Sequence, residues 1–358
     1  MEQKNQVMWA LLVPLSKNWE PKMSGLMFDD GVWDAVVAEA AAAGINTIVL
    51  DLLDGLCYGS HPEIALEGAW TRERLRREAG RLKALGIRLI PKLNFSAIHD
   101  GWLGQYGRML GTTTYYHVCR DLIREVAELF DHPQYIHLGM DEEDARHAAA
   151  CEPAVYRHRE LLWHDLQFYF DCVRDTGATP WIWSCPCFDY PEEFRKQIQA
   201  GDVVLSPWMY NAIEPAHKTP ISSRKAYMDY YSKEPYASMN MQFVEDDPFI
   251  VRFMEQALPC VADGYSVVPC VSTVNRCRYN AVDMLQYFKE NADPARVLGF
   301  ITSPWLALVP ENRKRILYDI RVFGKAKREI YEGFVPAPGE GAADLDPDDT
   351  SEHSAAIY

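Results

Sequence analysis

The chain reads as an α/β protein folded into one (β/α)8 barrel of the TIM type, and three features lead there. Short apolar runs rich in β-branched and aromatic residues alternate with stretches of helical periodicity, the pattern of parallel strands joined by crossover helices. Eight such runs occur, the number that closes a parallel barrel. The length of 358 residues, 48% of them hydrophobic and 24% charged, suits one large core of this kind.

In chain order, strands are expected over residues 7–15, 46–53, 87–94, 134–140, 179–184, 203–209, 265–272 and 297–303. The first run has the apolarity of a secretion signal. It contains Pro14 and leads into Ser16 and Lys17 rather than a small-residue cleavage site, and so it reads as a strand. Helical spacing of apolar residues covers 31–43, 71–85, 115–130, 154–176, 192–200, 248–262, 281–291 and 312–331. Asp30 stands where the first helix needs an N-cap, Thr71 opens the second with Glu73 in its first turn, and Gly44 and Gly86 mark helix ends. The barrel is assigned to residues 1–333. Residues 334–358 hold three prolines, two glycines and six acids with no lysine or arginine, the composition of a disordered acidic tail.

A formal charge of −15 without a basic stripe argues against nucleic acid and anionic membranes as partners. No run is long and apolar enough to span a bilayer. Nine cysteines without paired metal-type spacing read as buried thiols in a reducing compartment, hence a cytoplasmic protein. The loops from Asn211 to Asp247, rich in tyrosine and methionine, are candidates for covering a pocket or forming a homo-oligomer contact.

A parallel barrel places its chemistry at the carboxyl ends of the strands and in the loops that follow. The densest signal there is Tyr135-Ile136-His137-Leu138-Gly139-Met140-Asp141-Glu142-Glu143-Asp144, a strand that ends in four consecutive carboxylates. Acids at a helix N-terminus are one explanation, since they complement the dipole. A functional explanation is favoured by His137 inside an apolar strand and by Gly139, which permits close backbone approach. Paired carboxyls are the machinery of glycoside hydrolysis. The seventh strand, 265–275, supplies no second carboxylate, so the two-site retaining arrangement looks unfilled; an adjacent Asp-Glu pair can still work if the nucleophile is the substrate's own acetamido oxygen.

The stretch His137-Leu138-Gly139-Met140-Asp141-Glu142 resembles the His-x-Gly-Gly-Asp-Glu signature of family 20 glycoside hydrolases, the β-N-acetylhexosaminidases, with Met140 in place of the second glycine. Residues 46–54, ending Leu53-Asp54, are similar to that family's second strand, and Ile90-Pro91-Lys92-Leu93-Asn94 through His99 to its third. The resemblance implies Glu142 as general acid and base, Asp141 as the acetamido-orienting residue, and Tyr210 as a donor to the acetamido oxygen. Trp183, Trp208 and Trp305 would wall the sugar, and Lys17, Asp54, His99 and His137 would complete its binding site. It implies no cofactor and no metal.

The sequence departs from that pattern where the sugar is gripped. Lys17 and Asn18 stand where the family has an arginine, Trp305-Leu306-Ala307 lacks the acid of Trp-x-Glu, and Lys92 and Asn94 replace acids of the third strand. A lysine donates as a point charge, not as a bidentate fork. Three alternatives stay open: a glycosidase for another sugar, a metal-dependent enzyme using Asp51, His99, His137, Asp141 and Glu142 as ligands, and a non-catalytic carbohydrate-binding relative. For the hydrolase, burial beside Asp141 is expected to raise the pKa of Glu142 and keep it protonated.

Overall fold

The computed structural model describes residues 7–17, 24–148, 154–214, 217, 248–275 and 277–345. Its strands are β1 (Met8–Pro14), β2 (Thr47–Asp51), β3 (Arg88–Lys92), β4 (Tyr135–His137), β5 (Thr179–Trp183), β6 (Val204–Ser206), β7 (Ser266–Val267), β8 (Cys270–Val271) and β9 (Gly299–Thr302). All neighbours pair in parallel, in the order β7-β6-β5-β4-β3-β2-β1-β9-β8.

β7 and β8 are two pieces of the single strand expected over 265–272. Pro269 has no N–H to donate, so the ladder breaks there. The piece before it pairs with β6 and the piece after it with β9, while the Val268 and Cys270 amides donate to Leu205 and Pro207. This broken strand joins the two ends of the sheet and closes the barrel.

Side-chain alternation along the strands builds two cores. On β1, Trp9, Leu11 and Val13 face outward into the layer shared with the helices, whereas Met8, Ala10 and Leu12 fill the barrel with Val49, Ile90, Trp181, Val204 and Ile301. The outer layer consists of α1 (Asp30–Ala42), α2 (Arg72–Ala84), α3 (Thr113–Leu129), α4 (Ala145–Ala148), α5 (Glu160–Arg174), α6 (Cys185–Asp189), α7 (Pro191–Gln197), α8 (Pro248–Ala262), α9 (Asn280–Asn291) and α10 (Arg313–Tyr331). Among the described residues no helix is long and apolar enough to cross a membrane.

Caps sit close to where the residue types put them. Thr71 accepts from the Arg74 amide, but the first helix is capped by Asp29, not Asp30, with Oδ1 2.8 Å from the Val32 amide. The helix expected from 154 begins only at Glu160. The segment before it is pulled straight because Arg157 is drawn into the core, where Nε donates to Asp165 at 2.6 Å, Nη1 lies 3.1 Å from Glu143 and Nη2 donates to Tyr115 and Tyr169. From residue 334 the chain returns along α10. Ala342 is buried there, its amide 2.6 Å from Glu329.

Candidate active site

The rim of β4 is set by backbone that L-residues seldom adopt. Gly139, Met140 and Glu142 have φ of 74°, 67° and 55°. At Gly139 a Cβ would lie 2.0 Å from Asn94 Oδ1, so only glycine lets β4 pass this close to the end of β3. Left-handed φ at Met140 and Glu142 costs roughly 1–2 kcal/mol each. The surrounding bonds hold the turn: the Met140 amide donates to Asn94 Oδ1 at 3.4 Å, and Ser96 Oγ donates to the Asp141 carbonyl at 2.6 Å.

The four consecutive acids separate into different jobs. Asn94 Nδ2 donates to Asp141 Oδ1 at 2.9 Å. Nε2 of His99 lies 3.4 Å from Asp141 Oδ2 and 3.2 Å from Glu142 Oε2, and Nε2 of His147 lies 3.5 Å from Glu142 Oε1. Glu143 turns inward, where it takes the Ala97 and Arg157 amides and the Arg157 guanidinium; it is scaffold. Asp144 accepts from the His147 amide at 2.9 Å and pairs with its Nδ1 at 3.0 Å.

The electrostatics correct the expectation for Glu142. Burial alone would raise its pKa, but His147 and His99 outweigh burial and the Asp141 charge, so the carboxyl is held below its usual range. Asp141 is pushed down too: burial opposes ionisation, and the His99 charge and hydrogen bond, with Lys92 and Asn94, overcome it. Burial opposes the charge on His99 as well, yet Asp141 and Glu142 push its pKa up to about 10. One imidazolium thus sits between two carboxylates.

Beneath this triad, His137 closes β4. The Gly139 amide donates to its Nδ1 at 3.0 Å, which leaves the proton of the neutral ring on Nε2, a fully buried atom with no hydrogen-bond partner among the described residues. Burial and the nearby Lys92 charge keep His137 neutral. Lys92 itself is buried against Asp51, with Nζ 2.6 Å from Oδ2.

An aromatic wall runs on from His137. Its ring lies 4.7 Å from Trp183, Trp183 lies 5.6 Å from Trp305, Trp305 lies 6.4 Å from Tyr210, and Tyr210 stacks on Trp208 at 5.2 Å. The sequence-derived candidates Asp141, Glu142, His99, His137, Trp183, Trp208, Tyr210 and Trp305 therefore gather in one region. The Tyr210 hydroxyl lies 3.8 Å from the thiol of Cys270. Asp54 is fully buried and accepts from Ser16 Oγ, and Lys17 is half-buried near Arg315, burial and that charge lowering its pKa to about 8. Asn18 and residues 218–247 lie outside the described residues.

A small cleft open to solvent adjoins Glu142, lined also by Asp144, Cys185, Phe188, Asp189, Trp208 and Arg252. Arg252 from α8 pairs with Asp189 of α6. Burial and the Asp141 charge push the Cys185 thiol up to about 12, so it is not a thiolate nucleophile. The sequence reading overlooked His147, although the spacing Asp144-x-x-His147 brings the two together on one helical turn. Among the described residues, His99, Asp141 and Glu142 also form the group whose ligand atoms lie within 4.8 Å of one another, close enough to share a metal ion.

With the geometry in hand, known structures offer a match. A β-N-acetylhexosaminidase from Bacteroides fragilis NCTC 9343 aligns with a TM-score of 0.58 at 13% identity, covering 93% of this chain and 68% of that one. The fold is shared with family 20 barrels. The GH20 β-N-acetylhexosaminidase from Streptomyces coelicolor A3(2) gives 0.58 at 11% identity, covering 99% and 70% of the two chains. The GH20 exo β-N-acetylglucosaminidase from Vibrio harveyi, solved with N-acetylglucosamine, gives 0.54 at 14%, covering 89% and 53%. The chain thus spans between about half and about two thirds of the length of these structures. No protein-family model matches the sequence, and no curated protein sequence matches it.

Proposed function

We propose that the protein is a retaining, substrate-assisted β-N-acetylhexosaminidase acting on GlcNAc- or GalNAc-type sugars. The observation that carries this reading is the convergence of the Asp141 and Glu142 carboxylates on one imidazole, His99, at the barrel rim beside the Trp183–Trp305–Tyr210–Trp208 wall. Indole and phenol faces suit the C–H face of a pyranose.

In the first step protonated Glu142 gives its proton to the glycosidic oxygen as the C1–O bond breaks, and the acetamido carbonyl oxygen bonds to C1 from the opposite face. Asp141, ionised and fixed by Asn94, holds the acetamido N–H and balances its growing positive charge. In the second step the Glu142 carboxylate takes a proton from water, which attacks C1 and returns the acetamido group. The low pKa of Glu142 suits the second step and makes the first favour acidic solution. Assay of chromogenic 2-acetamido glycosides against their 2-hydroxy counterparts tests the reading. Turnover confined to the acetamido series supports it, and equal turnover removes the acetamido role.

A further inference from the structure

We propose that His99, Asp141 and Glu142 also form a binding site for a divalent transition-metal ion of the zinc class, spanning the two carboxylates of the rim. This goes beyond the hydrolase reading, because the site requires only the three side chains and not the reaction.

The geometry matches the ion. Zinc bonds to imidazole nitrogen and carboxylate oxygen are about 2.0–2.1 Å long in a tetrahedral shell, which sets neighbouring ligand atoms roughly 3.3–3.4 Å apart. The two edges that meet at His99 Nε2 are 3.4 Å to Asp141 Oδ2 and 3.2 Å to Glu142 Oε2. The third edge lies within 4.8 Å, so a modest carboxylate rotation closes the triangle. A mixed nitrogen and oxygen set of this kind suits zinc, cobalt and manganese.

The supporting bonds point the same way. Each carboxylate has its other oxygen already engaged: Asn94 Nδ2 donates to Asp141 Oδ1 at 2.9 Å, and His147 Nε2 stands 3.5 Å from Glu142 Oε1 with its own Nδ1 on Asp144. Outer contacts of this type orient ligands and strengthen metal binding. Glu142 also lines the open cleft, so a fourth position has access to solvent. The cation would replace the His99 proton as the positive charge between two carboxylates. With Glu142 engaged by metal, no carboxyl remains to protonate a leaving group, and zinc therefore competes with a glycoside.

The test uses the full chain after treatment with chelator. Titration with zinc chloride is followed by calorimetry, and titration with cobalt(II) by visible absorbance, which reports a low-coordinate nitrogen and oxygen site directly. The expected result is one saturable ion per chain. His99→Ala and His99→Gln should each weaken binding at least about tenfold, Asn94→Ala about 10- to 100-fold, and Asp171→Asn, an exposed carboxylate of α5 paired with Arg174, should leave it unchanged. Circular dichroism establishes that each variant is folded. Absence of saturable binding, or binding indifferent to both His99 substitutions, overturns the proposal. A parallel hydrolysis assay separates the two readings. Chelator-treated protein that turns over and is inhibited by zinc supports both. Chelator-treated protein that is inactive until zinc is restored keeps the site and removes the metal-free acid. Hydrolysis untouched by zinc that does not bind removes the site alone.

Discussion

His99 Nε2 stands 3.2 Å from Glu142 Oε2, and this contact, together with the charge of His147 3.5 Å from Oε1, outweighs burial and the adjacency of Asp141 in setting the charge of the Glu142 carboxyl. Two neighbouring carboxylates would ordinarily share a proton. Here the imidazolium between them removes the need. Replacing His99 by alanine takes away a positive charge, so the Glu142 pKa should rise and its acid form persist to higher pH. In a pH profile of kcat/KM the alkaline limb should move upward in His99→Ala. An unmoved limb would show that His99 does not control the acid.

The same contact makes stability depend on pH. The folded-state pKa of His99, about 10, lies above its ordinary value of 6.5, so folding takes up a proton there. That contribution is fully present below about pH 6.5 and is lost as pH rises toward 10. Asp141 runs the other way, since its depressed pKa adds stability above about pH 4 that is lost on acidification. Urea midpoints should therefore fall from pH 6.5 to 10, and His99→Gln should flatten that slope. An equal slope in the variant would contradict the assignment.

Glu143 and Arg157 are a buried pair, with Nη1 3.1 Å from Oε2 and both side chains nearly inaccessible to water. Truncating Arg157 to alanine leaves Glu143 and Asp165 uncompensated and should destabilise the fold by about 3–5 kcal/mol. Chemical denaturation measures it. A loss of under about 1 kcal/mol would mean that water or rearrangement replaces the guanidinium.

Gly139 is the tightest point of the rim. Gly139→Ala places a methyl 2.0 Å from Asn94 Oδ1 at a φ of 74°, which must push Asn94 off Asp141. The strained backbone alone costs about 1–3 kcal/mol. The variant should melt earlier and turn over more slowly than the parent even when folded. Unchanged melting and turnover would show that the rim yields freely.

The barrel was legible because eight apolar runs with intervening helical spacing admit few topologies. What escaped were effects of long-range partners. The helix from 154 fails to start because Arg157 is captured by Glu143 and Asp165, and the seventh strand splits because Pro269 cannot donate. The wall and the acids were readable from their places at strand ends. Their charge states were not, since His99 arrives from the β3 loop and His147 from a four-residue helix with no apolar period of its own.

The measurement that bears most directly on the mechanism is the rate ratio between a 2-acetamido glycoside and its 2-hydroxy analogue, for the parent protein and for Glu142→Gln. The parent should hydrolyse only the acetamido substrate at an appreciable rate. Glu142→Gln should lose about 10² to 10⁴ of that rate. Comparable hydrolysis of both sugars, or full activity in Glu142→Gln, would contradict a neighbouring Asp141–Glu142 pair as the catalytic centre.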